Sequence, residues 1–303
     1  MISVIIPFLN EGENIRKTLH SLFDSCDLTD IEVILLNDLS TDNYDYDSLS
    51  HEFCVRYYQN SSRLGVSGSR ERGVKLASNN IILFLDGHMK FLQPDWASKL
   101  VNHVINHPQH LFCSVSVAID DNWNINPESP IGAGCTIDLS TESSRLLDTV
   151  WLPFVADNPA IPCIMGAAYA FDKNFYLHLR GLHGLAQWGY DEQFLSIKAY
   201  LAGGQCTLMS DIIVGHLYRP VQPYIKPMMH IEYNKIVCLY VLDLVPFTDI
   251  KRTFYTNPLF EQNWQAIENL RLQIKSELNQ RSIQEFIEFN NKYMVEILER
   301  SCH

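Results

Sequence analysis

Apolar and polar positions alternate along the first 110 residues in two rhythms. Ile2-Ser3-Val4-Ile5-Ile6-Pro7 and Ile31-Glu32-Val33-Ile34-Leu35-Leu36 are apolar-rich runs that read as strands, the first punctuated by proline. Between them, Asn14 to Phe23 sets Ile15, Leu19, Leu22 and Phe23 on one face, the spacing of an amphipathic helix. Val55 to Tyr58 is a short third strand, and Val66 to Ala77 a helix leading into Ile81-Ile82-Leu83-Phe84-Leu85. Five apolar residues in a row fit a strand buried on both faces. This βα alternation predicts a mostly parallel sheet flanked by helices, with ligands at the carboxyl ends of its strands.

After residue 110 the pattern is mixed. Phe112 to Ile119 alternates like a strand, and residues 120–160, rich in Asn, Pro, Asp and Ser, form a long excursion with some hairpin character. Residues 191–202 read as a helix stopped by Gly203-Gly204, and Asp211 to His216 as a further strand. Beyond Phe260, Trp264, Ile267, Leu270 and Ile274 recur at helical spacing. So do Ile283, Phe286, Ile287, Tyr293, Met294, Ile297 and Leu298. These stripes predict a helical appendage over 246–303, suited to core packing or to subunit contact in a homo-oligomer.

Composition narrows the function classes. A chain of 303 residues, 47% hydrophobic, can bury one large core. A formal charge of −12 argues against a nucleic-acid partner, and any anionic substrate must be met by local cations. The eight cysteines (26, 54, 113, 135, 163, 206, 238 and 302) include no Cys-x-x-Cys pair and several lie in apolar runs, as expected of reduced core thiols in a cytoplasmic protein. No apolar run has the length of a membrane span, so an integral membrane protein is not expected.

The chemistry begins at the end of the fourth strand. Asp86-Gly87-His88 sets two metal-competent side chains around a glycine at the ligand-binding edge of the sheet. Asp-Gly is also ordinary turn chemistry. Asn37-Asp38-Leu39-Ser40 at the end of the second strand is likewise consistent with a cap or with a ligand contact.

Seven blocks in order resemble a GT-A-type glycosyltransferase of the family 2 kind, most of all the catalytic domain of polypeptide N-acetylgalactosaminyltransferases. They are Val4 to Glu11, Leu36 to Asp42, Asn60 to Gly73, Leu83 to His88, Met165 to Phe171, Trp188 to Glu192 and Val214 to Arg219. The resemblance implies a Rossmann-like α/β GT-A domain over 1–245 and a UDP-sugar donor. It implies a cation, Mn²⁺ or Mg²⁺, held by Asp86, His88 and His216, although an isolated histidine such as His216 is more often a core residue. Asp38 would contact uracil or ribose, with Pro7, Phe8 and Glu11 beside it. Arg63, Arg70 and Arg219 would lie near the nucleotide or diphosphate, and Gly166, Trp188 and Gly189 near the sugar or acceptor.

Trp188-Gly189-Tyr190-Asp191-Glu192 departs from the family's Trp-Gly-Gly-Glu-Asn by placing an acid at Glu192. In inverting family 2 enzymes an acid there is the general base, so the pattern implies inversion with Glu192 as base and Asp191 orienting a hydroxyl. A retaining mechanism like that of the peptide-modifying enzymes is the alternative, as is a non-catalytic nucleotide-sugar- or glycan-binding protein. An Asp-Glu pair opening a helix is also ordinary capping. The acceptor would be a hydroxyl or thiol on a glycan, a lipid-linked glycan or a peptide, its choice shaped by 120–160 and by a lid at Arg180 to Gln187.

Overall fold

The computed structural model describes residues 1–26, 31–254 and 257–301; Cys302 and the side chain of Leu298 lie outside them. In chain order the first half holds β1 (Ile2–Phe8), α1 (Glu13–Asp24), β2 (Ile31–Asn37), α2 (Ser48–Glu52), β3 (Arg56–Gln59), α3 (Gly65–Leu76), β4 (Ile81–Leu85), β5 (Met89–Phe91), α4 (Trp96–Asn106) and β6 (His110–Ile119). The hairpin β7 (Cys135–Ile137) and β8 (Thr149–Trp151) follows, then β9 (Ala160–Ile161), β10 (Ala168–Asp172), α5 (Lys173–His178), α6 (Asp191–Leu201) and β11 (Gln205–Leu217). The chain closes with α7 (Met228–Val241), α8 (Phe247–Phe254), α9 (Pro258–Gln262), α10 (Trp264–Glu277) and α11 (Ile283–Ser301).

The main sheet runs β3-β2-β1-β4-β10-β6-β11-β5, with β9 paired on β11. Strands β3, β2, β1 and β4 are parallel. Strand β10 then enters antiparallel between β4 and β6. Apolar runs without alternation suit this sheet because both faces are covered. Ile5, Ile34, Leu36, Ile82 and Phe84 point into one core, shared with α6, α7, α10 and α11. Val4, Ile6, Val33, Leu35, Leu83 and Leu85 point into the other, beneath α1 and α4.

The strand expected over 211–216 is longer, Gln205–Leu217, because a register shift between Met209 and Ile213 interrupts its pairing with β6 and breaks the sequence pattern. The helices after residue 245 contribute Ile250, Ile267, Leu270, Ile274 and Phe286 to the same core as the sheet. They are bound to the body of the molecule by a buried amide: Asn290 accepts from the Ile137 N–H and donates to the Ile137 carbonyl, both at 2.8 Å. No helix among the described residues is long and apolar enough to cross a membrane. Cys113, Cys135, Cys163, Cys206 and Cys238 are buried free thiols.

Candidate active site

The parallel strands β1, β2 and β4 end at one edge, and their last residues open a cavity of about 640 Å³. Its wall includes Pro7, Phe8 and Glu11 after β1, Asp38 after β2, and Asp86 and His88 after β4. Strand β5 leaves the Asp86-Gly87-His88 turn and pairs antiparallel with β11, setting Met89 opposite His216. That pairing brings together two histidines 128 positions apart. Gly87 lets the turn pack closely: a Cβ there would stand 2.7 Å from Ile15 Cδ1 and 3.1 Å from Glu11 Cγ, so those side chains would have to shift.

Asp86, His88 and His216 converge so that one ligand atom from each lies within 4.8 Å of the others. His88 Nε2 faces His216 Nε2 at 3.1 Å, and Asp86 Oδ2 is 3.7 Å from His216 Nε2. Two imidazole nitrogens at that distance can share only one proton, whereas a cation can accept a lone pair from each. Burial lowers the His216 pKa, with the charges of His88 and Arg219 acting the same way, which favours the neutral ring a metal needs. Burial alone would raise the Asp86 pKa. The His216 hydrogen bond and the charges of Arg70 and both histidines outweigh it and hold the carboxyl below its usual range. Imidazole, imidazole and carboxylate form a donor set that fits a divalent transition-metal ion.

Behind this triad stands Glu11, 3.2 Å from His88 Nδ1 and bidentate to Arg219 at 2.8 Å for each contact. Donation of Nδ1–H to Glu11 leaves the His88 Nε2 lone pair for a cation. Arg219, also 3.2 Å from His88 Nδ1, does not line the cavity. Its guanidinium pairs with Glu11, and it braces the histidine.

Arg70 lines the cavity. It is 2% exposed and forms a buried ion pair with Asp191, 3.1 Å from the Gly166 carbonyl and 3.5 Å from Asp86 Oδ1, between the rings of Phe84 and Tyr169. The guanidinium is a strut between the metal-competent turn and the start of α6. Asp38 accepts from Asn60 Nδ2 and Leu64 N at 2.8 Å each, from Gly65 N at 2.9 Å and from Arg63 Nε at 3.1 Å. Its carboxylate organises the entry to α3 while lining the cavity beside Phe8. Arg63, with a side chain 41% exposed, has room to reach into the cavity.

On the far wall, Tyr190 in the left-handed region (φ 65°) turns the chain into α6, whose first residues are Asp191 and Glu192. Both acids line the cavity; Asp191 is buried and paired with Arg70, and Glu192 is the less buried of the two. Gly166 makes room for it: a Cβ there would fall 1.7 Å from Glu192 Oε1. Burial raises the Glu192 pKa, the Asp191 charge raises it further, and Arg70 opposes both. Such a carboxylate is a stronger base than an ordinary one.

Gly189 and the exposed Trp188 complete that wall, with Lys226 Nζ 3.6 Å from the centre of the Trp188 ring. Sequence reasoning missed Tyr224, Ile225 and Lys226, and gave no residues for the hairpin wall of Arg145, Asp148 and Trp151. The proline-punctuated run after Arg219 was the available signal for the first set. The loop Arg180 to Gln187, expected to be a lid, is hydrogen-bonded to the body of the molecule in this structure. Leu182 N donates to Glu71 at 2.7 Å, buried Lys198 donates to the Gly181 carbonyl, and Asn234 bonds both backbone groups of Ala186.

With this geometry in place, known proteins supply a frame. Residues 3–157 match the family model described as glycosyl transferase family 2. Polypeptide N-acetylgalactosaminyltransferase 10 of Homo sapiens is 26% identical over 237 residues, covering 74% of this chain and 39% of its own. Polypeptide N-acetylgalactosaminyltransferase 14 of Homo sapiens is 27% identical over 233 residues, covering 74% of this chain and 42% of its own. The chain therefore spans about two fifths of the length of these curated relatives. Among solved structures, GalNAc-T7 with UDP, GalNAc and Mn²⁺ superposes with a TM-score of 0.77 at 20% identity, covering 98% of this chain and 58% of that one. S. aureus TarS 1-349 in complex with UDP-GlcNAc gives 0.51 at 15% identity, covering 90% and 81%. The fold is the GT-A fold that the sequence implied.

Proposed function

For a chain that belongs to glycosyl transferase family 2, we propose transfer of a sugar from a UDP-sugar to a hydroxyl of a glycan, lipid-linked glycan or peptide, with inversion at the anomeric carbon. The observation that carries this reading is the convergence of Asp86, His88 and His216 with Glu192 on one cavity at the carboxyl edge of the sheet. The UDP in the GalNAc-T7 structure and the UDP-GlcNAc in that of TarS support a UDP-sugar donor.

Asp86, His88 and His216 would hold Mn²⁺ or Mg²⁺, which when bound stabilises negative charge on the departing diphosphate. Glu11 and Arg219 fix the His88 ring. Arg70 keeps Asp86 and Asp191 in place and adds a buried positive charge beside them. Glu192 then accepts the acceptor's proton as the hydroxyl oxygen attacks the anomeric carbon. Asp191, held by Arg70, sets the start of α6 from which that base projects. Trp188 and Gly189 border the space left for sugar and acceptor, and the hairpin Cys135–Trp151 closes its other side.

Proton NMR of the product tests the stereochemistry. An inverted linkage from wild type, with transfer abolished in Glu192→Gln, is the expected result. A retained linkage would overturn the role given to Glu192.

A further inference from the structure

Just before α6 the chain passes through Gln187, Trp188, Gly189 and Tyr190, all of which line the cavity. Three of the four hold positive φ: Gln187 at 51°, Gly189 at 106° and Tyr190 at 65°. Glycine adopts that region freely, whereas glutamine and tyrosine stay in it only where their surroundings impose it. A backbone turned this way cannot run on as helix or strand, so its carbonyls need partners from elsewhere.

One side chain supplies most of them. Asn234 on α7 is fully buried and does not itself line the cavity. Its Oδ1 accepts from Ala186 N at 2.7 Å. Its Nδ2 donates to the carbonyls of Ala186 at 2.8 Å, Gly189 at 2.9 Å and Trp188 at 3.2 Å. Two N–H groups are shared among three carbonyls, and the Trp188 and Gly189 carbonyls turn toward α7. Tyr190 then opens α6 without a side-chain cap, its own carbonyl accepting from Phe194 N at 3.0 Å. The direction in which α6 sets out, and with it the place of Asp191 and Glu192, is inherited from the residues that Asn234 holds. Asp86, His88 and His216 stand elsewhere, on the β4–β5 turn and on β11.

We infer that Asn234 is the positioning residue of this wall. It fixes the Trp188 and Gly189 peptide planes and, through Tyr190, the approach of Glu192 to the attacking hydroxyl. The inference rests on the transferase reading and assigns the precision of the base to a side chain outside the cavity.

Two variants of the full chain test it. Asn234→Ala removes the clamp. Asn234→Asp keeps its shape and its acceptor for Ala186 N, but brings either a charge against three carbonyls or one proton for all of them. Hydrogen exchange, calorimetric titration with UDP and Mn²⁺, and release of UDP from UDP-GlcNAc and UDP-GalNAc, with water as acceptor, are compared with wild type. In both variants exchange is expected to rise over 186–192 and to stay unchanged in β1 and β4. The kcat for UDP release should fall by about tenfold or more, while UDP and Mn²⁺ affinities hold. Unchanged exchange over 186–192, a wild-type kcat in Asn234→Asp, or affinities that fall together with kcat would overturn the proposal. Absence of UDP release from wild type would instead overturn the transferase reading, and the exchange result would still decide whether Asn234 holds this wall.

Discussion

His88 Nε2 and His216 Nε2 face each other at 3.1 Å, although 128 positions separate the residues in the chain. Their approach is a consequence of sheet register: β5 leaves the Asp86-Gly87-His88 turn and pairs with β11 so that Met89 lies opposite His216. Asp86 completes the triad, and Glu11 backs one ring through His88 Nδ1. The resulting cation affinity should depend on both layers. In calorimetric titration with Mn²⁺, His216→Ala is expected to abolish measurable binding. Glu11→Gln, which leaves all three donors present, should weaken it by about 10–100-fold.

Arg70 and Asp191 form an ion pair in the interior, with 2% and 3% of their surfaces exposed. Removal of one partner leaves the other charged and buried. Arg70→Met should therefore cost about 3–5 kcal/mol in urea unfolding. Arg70→Lys should recover only part of the loss, because an ammonium lacks the fork that reaches Asp191, Asp86 and the Gly166 carbonyl together.

Glu192 must be ionised to act as a base, and burial with the neighbouring Asp191 charge raises its pKa. The expected kcat/KM rises with pH and levels off only above the ordinary carboxylate range, while Glu192→Gln loses at least about 100-fold. Stability runs the other way. The folded state holds this proton more tightly than the unfolded chain, so Glu192 lowers stability as pH climbs from the unfolded pKa toward the raised folded one. Urea titrations at several pH values should show Glu192→Gln gaining on wild type across that window.

Asn290 on α11 pairs with both backbone groups of Ile137 on β7, the strand that opens the hairpin wall of the cavity. Asn290→Ala leaves a buried donor and a buried acceptor, at about 1–3 kcal/mol for each. Hydrogen exchange should show the Ile137 amide losing protection while amides of β1 and β4 keep theirs. Equal loss across the whole chain would mean that the helix does not hold the hairpin specifically.

The strands that carry the site were legible because their signals are local. The uninterrupted apolar run Ile81–Leu85 and the apolar-rich run Ile31–Asn37 lead into Asp86 and Asp38, and an edge of parallel strands is where ligands gather. The triad was legible only through resemblance, since no local pattern connects His216 to Asp86. The partners of the arginines were hidden for a physical reason: sequence reports a cation but not its partner, and Glu11 and Asp191 pair with Arg219 and Arg70. The donors around Asp38 were hidden the same way, because the backbone N–H groups of Leu64 and Gly65 leave no trace in residue identity. The true length of β11 was hidden by its bulge, and the anchoring of Arg180 to Gln187 by the distance in sequence to Lys198, Glu71 and Asn234.

The most direct test is release of UDP from a panel of UDP-sugars by wild type and Asp86→Ala, with Mn²⁺ and with a chelator. Release that requires the cation and disappears in the variant is the expected result. Release that persists in the chelator, or in Asp86→Ala, would contradict the assignment of Asp86, His88 and His216 as the centre of donor activation.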